Sequence, residues 1–323
     1  MTAAPPAEPE ALDTREPVAE YVTGLQVTRV LRAPDGDGFL WWQRPGSGRP
    51  APLAAPAAHL VPHLPPESGA ALLVTPERIG DGLLHRTAGA LSVAAWLRDF
   101  RPGARQLAAH ALASAGRALR ELHRVTPPGD ASLGVPPGVR RMRAWAYGDG
   151  ELRRRTLASW GAARCELLLG WADDLVGPDT GESPASPSPP YGLVHGWASA
   201  GALIPPLSRG RTALLTGEDL AAGRPELDLG WLLGELAELT WAAPAYDCTE
   251  LLRVPLAAYG PGPDPVRVGR AAVLRIVTHM QDFATFQGWH DELLDYIAFT
   301  AELIDEEGRR AVPRGDQGEQ EAP

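Results

Sequence analysis

Between residues 21 and 76 apolar and polar positions tend to alternate. QVTRVLR (26–32) and GFLWWQR (38–44) flank the stretch APDGDG (33–38). A strand-like period on either side of Asp-Gly pairs, which supply turn conformations, predicts a β-hairpin. ALLVTPE (71–77) is a short apolar run of the buried-strand kind. The Pro/Ala-rich stretch 45–66 between them is hostile to a long helix.

From about residue 90 the spacing lengthens to that of helices. Leu107, Ala111, Ala115, Leu119 and Leu122 mark one face of a helix running to His123 and stopped by TPPGD. Leu157, Trp160, Leu167, Leu168, Trp171 and Leu175 mark a second. The segment 177–190, GPDTGESPASPSPP, reads as a low-complexity surface loop. Two short strand-like pieces, LVHG and TALLTG, come next, and then three helices over 227–241, 266–286 and 291–306. No internal repeat of 20–50 residues interrupts the series. The order predicts an α+β, two-lobed architecture. Its parts are a polar disordered tail (1–16), a small strand-rich N-lobe (17–95), a larger helical C-lobe (96–306) and a second disordered tail (307–323).

Composition narrows the class. In 323 residues the apolar fraction is 44% and the charged fraction 22%, values of a globular protein. No apolar run reaches the ~18 residues of a membrane span. The N-terminus MTAAPPAEPEALD has no basic segment followed by an apolar one, so the expected compartment is the cytosol. Cys165 and Cys248 sit far apart in apolar helical contexts and read as single buried thiols. A net charge of −10 argues against nucleic acid as the main partner. All 30 basic residues are arginine and lysine is absent. With abundant Ala, Gly, Pro and Arg this bias suggests a GC-rich genome of actinobacterial type, and it removes any chemistry that needs a lysine ammonium group.

Two segments carry the candidate chemistry: HGWASAGALI (195–204) and ALLTGEDLAAGRPELDLGWLLGEL (213–236). Their order, spacing and flanking helices resemble the catalytic loop and metal loop of the aminoglycoside phosphotransferase and choline kinase-like family, a branch of the protein-kinase fold. In that family the first motif runs His-Gly-Asp, four residues, then Asn. The second runs apolar-Ile-Asp-Trp/Phe-Glu, then Gly-Asp-Pro, two residues, Asp-Leu-Ala. His195, Gly196, Gly201, Pro225, Asp228 and Leu229 match, as does Leu122-His123 at the end of the earlier helix. The resemblance extends over roughly residues 20–305 and implies a kinase-like fold with an ATP and Mg²⁺ site between lobes.

The departures fall on the chemistry. The family's catalytic Asp corresponds to Trp197, its metal-binding Asn to Ala202, its second metal-binding Asp to Thr216, and its phosphate-contacting lysine to the vicinity of Gln43. Phosphoryl transfer depends on positioning and on Mg²⁺ neutralising developing charge, and loss of a general base alone typically costs about 10²–10⁴-fold. Glu218, aligned with the family's glutamate, and Asp219 read either as a relocated Mg²⁺ or nucleotide site or as an ordinary carboxylate pair at a helix start. The resemblance gives Asp228 a structural part, anchoring the catalytic-loop backbone, and His195 a bracing one. Ser199 is a candidate hydroxyl nucleophile with no identifiable His-Asp pair to activate it, or a loop serine. Trp197 either fills a void or presents a contact surface.

Elsewhere, RRMR (140–143) and RRR (153–155) read as solvated helix faces or as sites for an acidic peptide or phosphate. Trp41 and Trp42 read as half-buried strand aromatics. Glycine-rich phosphate loops, HExxH, paired CxxC and GxSxG are all missing.

The expected function is therefore that of a pseudokinase binding a protein or peptide. Divergent relatives in actinobacterial lanthipeptide and thioamitide clusters are thought to act with a separate lyase on Ser/Thr of a precursor peptide. Resemblance to them implies an alternative, an atypical ATP-dependent phosphotransferase partnered by a lyase. A third reading is a small-molecule binder using the former substrate pocket.

Overall fold

A computed structural model describes residues 9–49, 51–65, 71–127, 134–177 and 191–313. The low-complexity loop lies outside the described residues apart from Gly177.

The chain starts with a short helix α1 (Pro9–Asp13) and the strands β1 (Ala19–Val22), β2 (Gln26–Arg32) and β3 (Phe39–Pro45). The expected hairpin is β2–β3, in register from Gln26↔Pro45 to Arg32↔Phe39. Gly36 and Gly38 take positive φ in its turn. After β3 the described residues hold no α-helix before β4 (Ala71–Val74), only a 3₁₀ turn at Val61–His63. β5 (Glu77–Ile79) and β6 (Gly82–Thr87) complete an antiparallel sheet in the order β1-β2-β3-β6-β5.

β4 does not join that sheet. It pairs in parallel with β9 (Thr212–Leu215), which pairs antiparallel with β8 (Leu203–Ile204). The strand from the N-terminal region is thus built into the sheet that leads into Thr216, Glu218 and Asp219. A second ribbon, β7 (Gly192–Val194) with β10 (Ala221–Gly223), holds the start of the catalytic-like loop.

The larger part is helical: α2 (Val93–Trp96), α3 (Ala104–His123), α4 (Pro137–Tyr147), α5 (Glu151–Val176), α6 (Glu226–Ala242), α7 (Arg253–Tyr259), α8 (Pro265–Phe286) and α9 (Glu292–Asp305). α8 starts with Pro265 in its first turn, and its N-cap Asp264 accepts from the Val266 N–H, a favoured helix start. The helical core has two parts. One gathers Trp145, Trp160, Trp171 and Trp231 between α4, α5, α6 and α8. The other packs α3 against α6, α7 and the inner strands. This is the expected α+β arrangement.

Several details depart from the sequence reading. Residues 9–13 of the expected N-terminal tail are helical: Leu12 is buried, and the Asp13 carboxylate accepts from Trp42 Nε1 at 3.3 Å and Arg44 Nη1 at 3.0 Å. At the other end Ala311 is buried in a 3₁₀ turn. Leu157 and Leu167 are exposed, although Trp160, Leu168, Trp171 and Leu175 are buried. Gly161, with φ 75° and ψ 170°, breaks α5 into two phases, so one continuous stripe does not describe it. Trp41 and Trp42 are fully buried rather than half-buried. RRMR is no solvated face as a whole, because Arg143 is buried on Asp173 at 2.5 Å and Arg141 pairs with Asp282 at 2.7 Å. Cys165 and Cys248 are free, buried thiols.

Candidate functional site

The two sheets and α2 enclose a cleft of ≈ 620 Å³, whose walls include Gln43, His195, Trp197, Ser199, Ala202, Thr216, Glu218 and Asp219. Gln43 and Asp219, 176 positions apart, are thereby brought to one space. Asp228 lies beneath it, fully buried.

Asp228 sits in the first turn of α6, where the helix points it at the β7 end. Its Oδ2 accepts from the His195 backbone N–H at 2.6 Å and from His123 Nε2 at 2.9 Å, and its Oδ1 accepts from the Gly196 N–H at 2.8 Å. His123 Nδ1 lies 3.1 Å from the Tyr259 hydroxyl. With Nε2–H directed at Asp228, Nδ1 receives the Tyr259 proton. One carboxylate thus organises the loop, the end of α3 and α7.

His195 is engaged on both ring nitrogens. Nδ1 accepts from the Trp197 N–H at 3.3 Å, so Nε2 carries the proton and donates to the Leu215 carbonyl at 2.9 Å. Burial lowers its pKa, which keeps this neutral form. The next carbonyl, of Thr216, is 2.8 Å from Nε2 of His85 on β6, whose pKa burial lowers to about 4. Successive carbonyls at the end of β9 are therefore held by one histidine from each lobe. Gly196 has φ +77°, and a Cβ there would lie 2.0 Å from the Asp219 carbonyl oxygen. The two loops meet backbone to backbone, which only glycine permits.

The positions expected to act on phosphate or metal are otherwise occupied. Trp197 lies over Gly138 at the start of α4, where an added Cβ would be 2.5 Å from the ring. It contacts Trp231 with ring centroids 5.8 Å apart, and the Arg141 guanidinium caps it at 5.1 Å. Thr216 Oγ1 donates to the Val74 carbonyl at 2.9 Å, so its hydroxyl belongs to the β4–β9 join. Ala202 packs among apolar neighbours, and its N–H donates to Ser199 Oγ at 3.1 Å. Gln43 lines the cleft from β3.

Glu218 and Asp219 differ in environment. Glu218 accepts from Arg49 Nη2 with both oxygens, at 2.7 and 2.8 Å, and from the Ala54 N–H at 3.4 Å. Asp219 Oδ1 accepts from the Gly138 N–H at 3.1 Å. Burial pushes the Asp219 pKa up to about 7, and the neighbouring Glu218 adds to the rise while Arg141 opposes it. A carboxyl so placed exchanges a proton near neutrality.

These residues do not fit the Mg²⁺ that a kinase-like cleft implies. A hard cation wants several oxygens, but here one carboxylate is gripped by a guanidinium and one hydroxyl is turned to a backbone carbonyl. The chain contains neither lysine nor asparagine. Among the described residues no three His, Cys, Asp or Glu gather closely enough to hold a metal.

The sequence reading missed Arg49, His85 and Gly138, and took Arg141 only as part of the RRMR run. No local pattern marks the first three: Arg49 and Glu218 are 169 positions apart, His85 and Thr216 131.

No protein-family model and no curated protein matches the chain. Solved structures do. An ethanolamine kinase from Plasmodium vivax is 9% identical with a TM-score of 0.50, over 93% of this chain and 83% of that one. A choline kinase from Cryptosporidium parvum is 13% identical with a TM-score of 0.49, over 93% and 92%. An aminoglycoside phosphotransferase from Streptomyces rimosus is 16% identical with a TM-score of 0.44, over 80% and 92%. The protein has the kinase-like fold. Identities this low carry the fold alone. Among the described residues, no helix is long and apolar enough to cross a membrane.

Proposed function

We propose that this protein is a kinase-like binding subunit whose inter-lobe cleft holds a peptide or protein segment and does not transfer phosphate. The observation that carries this reading is the structural engagement of the would-be catalytic positions. Trp197 is packed on Gly138 and Trp231, Thr216 is bonded to Val74, and Glu218 is bonded to Arg49. Phosphoryl transfer needs charge neutralisation at the phosphates and a directed nucleophile, and neither group remains free to supply it.

The shape of the cavity supports an extended ligand. A side cavity of ≈ 280 Å³ between α2, α6 and α8 shares Ala94 and Arg98 with the cleft. A further cavity of ≈ 180 Å³ shares His279 and Tyr296 with the side cavity. A row of neighbouring hollows with mixed apolar and polar walls suits a peptide better than a compact nucleotide. The partner class is a protein or precursor peptide, with a lyase as a candidate companion, in the cytosol.

One observation favours a second reading, an atypical ATP-dependent phosphotransferase working with a lyase. Asp219, whose buried carboxyl has a pKa raised to about 7, packs its backbone against Gly196, one residue from the position of the lost base. ADP release from ATP and Mg²⁺ by the purified protein separates the two readings. Binding without transfer predicts no release above background. Release that tracks the protein and disappears in the Glu218→Ala, Asp219→Ala double variant would establish the second.

A further inference from the structure

The segment that follows β3 crosses from the N-lobe to the metal-loop region. It is tied to the N-lobe by Gly46 N–H to the Leu25 carbonyl and Gly48 N–H to the Gly24 carbonyl, both 2.9 Å, and by Leu53 N–H to the Asp81 carbonyl at 3.1 Å. At Gly48 an added Cβ would be 2.9 Å from the Phe286 ring at the end of α8, so this strap also touches the C-lobe. Arg49 points from the strap into the cleft wall. Its Nε donates to the Ala51 carbonyl at 3.0 Å while Nη2 reaches both oxygens of Glu218. The two side chains are 13% and 20% exposed, so the contact is shielded and fixed at both ends.

We propose that Arg49 stands in for the divalent cation: its guanidinium, seated on Glu218, neutralises the loop where a kinase-like cleft would hold metal. The cleft therefore excludes Mg²⁺ and takes its ligand metal-free. A guanidinium is always charged and needs no coordination sphere, so this charge is present at any metal concentration. The same contact ties the strap, whose Leu53 and Ala54 line the cleft, to the C-lobe. Asp219, beside it, has its Oδ1 on Gly138 and is left as the carboxylate that an entering ligand meets. This inference goes beyond the reading of the cleft as a peptide site and does not require the peptide.

The test is Mn²⁺ uptake by the full-length protein, read from loss of the free-ion paramagnetic resonance signal, with no nucleotide or peptide present. Wild type should take up no Mn²⁺ at millimolar concentration. Arg49→Ala frees Glu218 beside Asp219 and should gain Mn²⁺ affinity by about tenfold or more, since affinity follows the ligand charge available. Glu218→Gln breaks the same contact without freeing a carboxylate and should gain none. Arg49→Gln keeps hydrogen-bonding capacity in the strap and answers the question if the alanine variant does not fold. Wild-type uptake that Glu218→Gln abolishes would overturn the proposal. So would folded Arg49→Ala and Arg49→Gln proteins that bind no better than wild type. ATP turnover by wild type without Mn²⁺ uptake would contradict the functional reading and leave the cation replacement standing.

Discussion

Removing the Asp228 carboxylate should destabilise the protein more than any other single polar change in the cleft. In Asp228→Ala three donors lose their acceptor together: the N–H groups of His195 and Gly196 and the Nε2–H of His123. Each buried unsatisfied donor costs roughly 1–3 kcal/mol. The three share one cavity that water can partly enter, so the sum overstates the loss, and about 3–5 kcal/mol is expected, as when one member of a buried pair is removed. For a protein of this size that lowers Tm by roughly 4–7 °C. Urea unfolding followed by far-UV circular dichroism should show a lower midpoint at unchanged slope. His123→Ala already removes one of the three partners, so the double variant should lose less than the two singles added. Strict additivity, or a loss below about 1 kcal/mol of the kind expected for an exposed pair, would refute the assignment of Asp228 as the loop's organiser.

His85 and Asp219 should give opposite pH dependences. His85 is neutral in the folded protein, with a pKa of about 4, while the unfolded chain binds a proton near 6.5. Its contribution is therefore complete at neutral pH and lost as pH falls, by about 2 kcal/mol between pH 7 and 5. Asp219, raised to about 7, is protonated more readily when folded, so its contribution grows as pH falls through the same window. Stability curves of His85→Gln and Asp219→Asn should separate in opposite directions from wild type, and parallel curves would contradict the assignment. Gly196→Ala must place a Cβ at positive φ and 2.0 Å from the Asp219 carbonyl oxygen; a loss of more than about 2 kcal/mol in thermal unfolding is expected. Trp197→Asp restores a carboxylate in sequence but empties the packing site over Gly138. It should cost about 2–4 kcal/mol by denaturation without creating ATP turnover in an ADP-release assay.

Periodicity revealed the elements whose stability is local or one-sided. The β2–β3 hairpin, α3, α8 and α9 each carry a turn signal, cap or single apolar face, and α6 stands out as a strongly apolar run buried on nearly every side. α5 was harder. Its central segment has leucine at 167, 168 and 169, so apolar residues surround the helix and only packing selects Leu168 for burial. The short helices α1, α4 and α7 owe their existence to what they touch, as Leu12 in the N-lobe core shows. At the site, motif order located the cleft-lining positions and Asp228. It did not disclose what those side chains bond to. The partners of Glu218, Thr216 and Trp197 come from the strap after β3, from β4 and from α4, and each depends on the chain returning from far away. RRMR shows the same limit from the other side: four adjacent residues look like one basic patch, but Arg141 and Arg143 are each held by a distant carboxylate.

The most direct test is titration calorimetry of the purified protein with ATP, with Mg²⁺ and again with EDTA. A cleft whose metal loop is neutralised by its own arginine predicts no Mg²⁺-dependent binding and no heat from turnover. Ligand at about 100 times its Kd would also add roughly 2.7 kcal/mol of stability, so the melting temperature should stay unmoved by ATP and Mg²⁺ together. Submillimolar binding that requires Mg²⁺ and is lost in Glu218→Gln would contradict the metal-free cleft, and with it the proposal that this kinase-like fold binds without transferring phosphate.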